Sequence, residues 1–168
     1  MSSLIDVYLR TEIILSATDG VTWGTVETNT KGSITGPGGL LGLLGIGADS
    51  ALVVTAWNPL GKLLSIEDNE RLQRELIADL NELGLVYFSV MGQEPGGGWK
   101  EDSLLVPVED FQKTVEIVLE LARKFQQNAI FEITESTKRV IGVCMNELDG
   151  IVSYSLLPLG TQGIDLEQ

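Results

Sequence analysis

Trp57, Asn58, Asn69, Glu101, Ser103, Gln127 and Asn128 are the residues of this chain whose types and positions could do chemistry. The stretch Ala51–Pro59, Ala-Leu-Val-Val-Thr-Ala-Trp-Asn-Pro, is a short apolar run that breaks off at Trp57, Asn58 and Pro59. Such a run reads as a buried strand, and Pro59, with no N–H to give to a ladder, turns the chain at its end. An indole and an amide are thereby carried to the rim of a sheet. Glu101 and Ser103 open another strand directly after the glycine-rich loop Gly92–Gly98. A carboxylate at a strand mouth can bind an amine, accept a proton or hold a divalent cation; a lone one is a weak metal signal, and no cofactor is expected. Gln127 and Asn128 stand at the junction of a helix and the next strand, where Asn also serves as an ordinary helix terminator.

Asn69 precedes Leu72 and Leu76 by three and seven residues, which sets it on the apolar stripe of its helix. A half-buried amide there needs a partner, and the Trp-Asn-Pro corner is the nearest candidate. Two readings stay open: a structural bond that pins the helix to the corner, or two amides that both face a ligand. Trp23 and Trp99 read as packing aromatics. Cys144 lies in an apolar strand and reads as inert core.

Absences exclude whole reaction classes. The chain has no histidine and one cysteine, which removes the usual general base, the commonest transition-metal ligand, and every Ser–His or Cys–His pair. A single cysteine also rules out an internal disulfide framework and suits a reducing, cytoplasmic setting. No apolar run approaches the ~20 residues of a membrane helix, and the N-terminus lacks the pattern of a signal peptide. A net charge of −13 repels a phosphate backbone, so direct nucleic-acid binding is not expected. Mimicry of DNA by that acidic surface is the sharper reading of the charge, and solubility the plainer one.

The positioning elements follow from periodicity. Val7–Leu15 and Val21–Thr28 read as strands joined at Asp19-Gly20, a hairpin signal. Gly36–Gly47 has the glycines of a phosphate loop but lacks its terminal Lys-Ser or Lys-Thr, and reads as a connection laying its leucines on the core. Ser65 reads as a helix N-cap, Leu72, Leu76, Leu80 and Leu83 as the stripe, and Gly84 as the stop. Strands are expected at Val86–Met91, Ser103–Val106, Ala129–Ile133 and Arg139–Cys144. A second helix, opened by Glu109 and Asp110, carries Phe111, Val115, Val118, Ala122 and Phe125. The order from Ala51 to Ile133 is strand, helix, strand, strand, helix, strand. That is a ferredoxin-like βαββαβ core in the α+β class, its antiparallel sheet extended by the N-terminal hairpin and the Arg139–Cys144 strand. One domain is expected over residues 1–156, with residues 157–168 as a loose tail.

Four motifs in order resemble a bacterial family, the domain of unknown function 3293. They are Thr55-Ala56-Trp57-Asn58-Pro59; Asn69; Glu101-Asp102-Ser103; and Phe125-Gln126-Gln127-Asn128-Ala129. The resemblance runs from about Leu40 to Val143, and departs at Gln126, where the family pattern prefers glycine. It implies a similar fold and a shared polar cluster, and no activity.

The leading functional expectation is a binding or regulatory module with a polar pocket at the strand ends. Amides and an indole without a titratable base suit recognition of a small polar ligand, such as a nucleobase, a nucleotide or an amino-acid-like compound. No Arg lies within the motifs, which disfavours tight phosphate binding. The alternatives are an acidic interaction or inhibitor domain that captures a basic protein partner, and an enzyme with Glu101 as general base or metal carboxylate. A homodimer is compatible with all three.

Overall fold

The computed structural model describes residues 4–16, 23–28, 48–94, 98–108, 111–134, 137–145 and 150–158. In chain order these form α1 (Leu4–Arg10), β1 (Glu12–Ser16), β2 (Trp23–Thr28), β3 (Ala51–Val54), a short 3-10 turn (Pro59–Gly61), α2 (Ile66–Glu82), β4 (Phe88–Gln93) and β5 (Lys100–Pro107). They continue with α3 (Phe111–Lys124), β6 (Ala129–Ile133), β7 (Thr137–Gly142) and β8 (Gly150–Pro158). The class is α+β, as expected.

Every strand pairing is antiparallel. Five strands in the order β4-β5-β3-β6-β7 make the central sheet, with Val53 opposite both Leu105 and Phe131. β1 lies on β4, β8 lies on β7, and β2 joins β1 to β8, so the sheet closes into a barrel.

The helices form where the sequence has their start and stop signals. Ser65 Oγ accepts the Asp68 N–H at 3.1 Å, and Glu67 and Asp68 meet the positive end of the α2 dipole. Gly84, at φ +71°, takes the left-handed conformation that ends the helix. Leu76 and Leu80 of α2, Val118, Leu121 and Ala122 of α3, and Phe125 just past its end pack on Leu52, Val54, Leu104, Val106 and Ile130 of the sheet. Each such side chain contributes roughly 1.5–3 kcal/mol by leaving water. This cluster is the main core, and it fixes both long helices to one face.

The other face receives α1. Val7–Leu15 was expected as strand throughout, but the chain is helical to Arg10. Ile5, Tyr8 and Leu9 recur at helical spacing, and that side of α1 packs on Ala129, Phe131 and Val140. The approach is close: a Cβ on Gly150 would stand 3.1 Å from Leu9 Cδ2.

Other boundaries shift for reasons of pairing. β4 and β5 each outlast their apolar runs because they pair from Phe88–Leu105 through Gln93–Lys100. β7 ends at Gly142, so Cys144 lies past the strand and is exposed, not core. β8 reaches Pro158, two residues into the expected tail, because β2 pairs with it there (Gly24 opposite Pro158) and β7 pairs along its other edge. The sheet expected from the sequence is therefore closed by β8, a segment that the sequence reading did not assign although Val152, Tyr154 and Leu156 alternate with serines as in a strand. The Asp19-Gly20 turn, the Gly36–Gly47 segment, Glu109, Asp110 and residues 159–168 lie outside the described residues.

Candidate functional site

β5 and β6 both run antiparallel to β3. The end of β3 and the starts of β5 and β6 therefore meet at one end of the barrel. This places Trp57 and Asn58, Glu101, and Gln127 and Asn128 side by side, although they are scattered along the chain.

Asn58 is the hub. It takes a left-handed conformation (φ 48°, ψ 63°), which Asn tolerates better than most residues. Its Nδ2 donates to Glu101 Oε1 at 3.2 Å, and its Oδ1 accepts from the Leu64 N–H at 3.0 Å and from Asn69 Nδ2 at 2.9 Å. Asn69 Oδ1 in turn accepts the Asn58 N–H at 2.8 Å. Asn69, 2% exposed, thus uses both ends of its amide to pin α2 to the corner.

Gln73, one turn further along α2, does the same for the end of β3. Its Oε1 accepts the Ala56 N–H at 2.9 Å. Sequence reading did not single out Gln73; the signal was available in its position four residues after Asn69 on the same helical face. Gln127 Nε2 donates to the carbonyls of Trp57 and Phe125, both at 3.1 Å, and ties the α3 exit to the corner. Asn69 and Gln127 thus both hydrogen-bond within the protein, Asn69 to Asn58 and Gln127 to two backbone carbonyls.

Three features are not absorbed by that bracing. Glu101 is largely enclosed, and the only side-chain hydrogen bond to its carboxylate among the described residues is from Asn58. Burial pushes its pKa up, opposed by the Asn58 hydrogen bond. Second, Tyr8 reaches the site from α1: burial, chiefly, and the nearby Glu101 charge push its pKa up, opposed by the neighbouring Asn128 side chain. Third, Trp57 Nε1 and Gln73 Nε2 are buried with no acceptor among the described residues. Ser103 is buried two residues along β5 from Glu101, on the same face, and its Oγ donates to the Glu101 carbonyl at 3.4 Å.

Tyr8 was missed because Val7–Leu15 reads as a strand; the Ile5, Tyr8, Leu9 spacing could have found it. Lys138 was missed too. It is 0% exposed, donates to the Thr11 carbonyl just past the α1 C-terminus, and lies 5.5 Å from the Phe131 ring centroid. A cation there complements the helix dipole. No group of three or more His, Cys, Asp or Glu placed to hold a metal occurs among the described residues.

Residues 54–130 match the model of a family described as a protein of unknown function, DUF3293. Over that segment, a little under half of the chain, the sequence is similar to that family. No curated protein and no solved structure matches it. The DUF3293 segment runs from the last residue of β3 into β6 and holds all the site residues named from the sequence. Tyr8 and Lys138 come from outside it. Among the described residues no helix is long and apolar enough to cross a membrane.

Proposed function

We propose that the protein is a small binding or regulatory module whose ligand, a small polar molecule, is taken up at the strand ends around Glu101, Tyr8, Asn128, Trp57 and Ser103. Asn58, Asn69 and Gln127 act as its frame. The observation that carries this reading is Glu101: a largely enclosed carboxylate, served by one side-chain amide among the described residues. A buried ionisable group with few partners costs stability, and such groups concentrate at functional sites. The scaffold reading is a ferredoxin-like core, supported by the strand order β6-β3-β5-β4 with α2 and α3 on one face. A cytoplasmic setting fits the single cysteine.

The enzyme reading has one observation in its favour, since an upward-shifted Glu101 is suited to exchange protons nearer neutral pH. The test of the binding reading is thermal stability across a panel of polar metabolites. A compound at 100 times its dissociation constant stabilises the fold by about 2.7 kcal/mol. That shift should be lost in Glu101→Gln. A panel in which no compound raises Tm, or in which every hit persists in the variant, removes the site.

A further inference from the structure

We propose that the ligand taken up at this corner is a small organic cation carrying a primary ammonium group, which Glu101 recognises beside Tyr8. The inference rests on the binding reading above and names its chemical class.

Three observations converge on it. The Glu101 carboxylate meets the neutral amide of Asn58 and lies close to the neutral phenol of Tyr8, and it forms no ion pair among the described residues. An ionised carboxylate offers about four acceptor positions, so one amide N–H leaves room for the multiple donors of an ammonium. Next, the adjoining aromatic wall already holds such a group. The Tyr8 and Phe131 rings lie 6.1 Å apart, and the Lys138 ammonium stands 5.5 Å from the centre of Phe131 while donating to a backbone carbonyl. Carboxylate or carbonyl oxygen together with an aromatic ring is the chemistry that desolvates an ammonium at low cost. Finally, a net charge of −13 concentrates small cations near the protein and disfavours anions.

Uptake of the cation requires Glu101 in its ionised form. Where the free carboxyl holds a proton because burial raises its pKa, binding must expel that proton to the buffer, and the release must fade as pH rises. Among the described residues Tyr8 is the other titratable group facing Glu101, and its own upward shift keeps it neutral through this range.

The experiment uses the full chain, isotope-labelled, titrated with n-butylammonium and separately with the uncharged butyramide. Amide resonances of Asn58, Glu101 and Gln127 report the site. The ammonium should perturb them at concentrations at least about tenfold lower than the amide, the factor expected for a charge-assisted bond. Glu101→Gln keeps an acceptor for Asn58 and removes the charge, so it should abolish that preference. Equal perturbation by both compounds would keep the pocket and overturn the ammonium class. Perturbation by neither would overturn both. Calorimetry in buffers of different ionisation enthalpy then reads the proton release; a release that does not decline with pH would also overturn the proposal.

Discussion

At the scale of single residues, Asn69 shows how an amide on an apolar stripe is justified. It closes two hydrogen bonds with Asn58 and aims its Nδ2 toward the Leu64 carbonyl at 3.5 Å. Asn69→Ala should therefore destabilise the fold by about 2–3 kcal/mol in chemical denaturation, since it strands the Asn58 N–H in a half-buried corner and takes one of the two donors from its Oδ1. A loss below roughly 1 kcal/mol would mean that the corner does not depend on it. Glu101 gives a prediction about pH. Below its ordinary value of 4.5 the carboxyl is protonated in both folded and unfolded chains. As pH rises past that value the unfolded chain ionises first, so the wild type loses stability relative to Glu101→Gln until pH passes the raised folded pKa. Denaturation of both proteins from pH 4 to 8, about the range over which a raised carboxyl titrates, checks this. A difference that stays flat would show that Glu101 ionises freely in the folded state.

At the scale of elements, the junction between α3 and β6 is held in a strained conformation. Gln126 is exposed and sits at φ +53°, in the left-handed region where side chains other than Gly and Asn are penalised. Glycine at this position would carry no such penalty. Gln126→Gly should stabilise the protein by up to about 1 kcal/mol, the left-handed penalty less the entropy lost by glycine. Gln126→Val should destabilise it, and paired denaturation curves would decide. The second junction is between α1 and the barrel. Lys138→Met leaves the buried Thr11 carbonyl without that donor, at a cost of about 1–3 kcal/mol. Hydrogen exchange should speed up first in Val7–Thr11. Uniform acceleration over β3 and β5 as well would mean that Lys138 supports the whole barrel and not the docking of α1.

At the scale of the whole molecule, charge dominates. With 24 acidic and 11 basic residues the chain carries a net charge of −13, which opposes binding to the phosphates of a duplex. It should fail to retard duplex DNA in a gel at physiological salt, and a retarded band would overturn the charge argument. If the acidic surface instead captures a basic protein, that complex should weaken steeply as salt rises, because the Debye length contracts to about 3 Å at 1 M.

Much of this architecture is local, and so the sequence by itself determined it. The limits of α2 follow from Ser65 and Gly84, its buried face from Leu76 and Leu80, and the turn after β3 from Asn58-Pro59. Each is set by backbone sterics or by 3.6-residue periodicity within a few residues of where it acts. The exclusion of histidine and disulfide chemistry is likewise complete in the composition. The meeting of Asn58, Asn69 and Glu101 was inferable from their places at element ends. Their hydrogen-bond partners were not, because a donor and acceptor 43 residues apart leave no periodic trace. Only the tertiary structure decided that the amides brace one another and leave Glu101 as the underserved group. It alone brought Tyr8 to the site, through a helix whose short sequence also suits a strand, and buried Lys138 against a carbonyl 127 positions back along the chain. Closure of the sheet by β8 belongs to the same class. The alternation of Val152, Tyr154 and Leu156 marks a strand, but its two partners, β2 and β7, are set only once the rest of the sheet is in place.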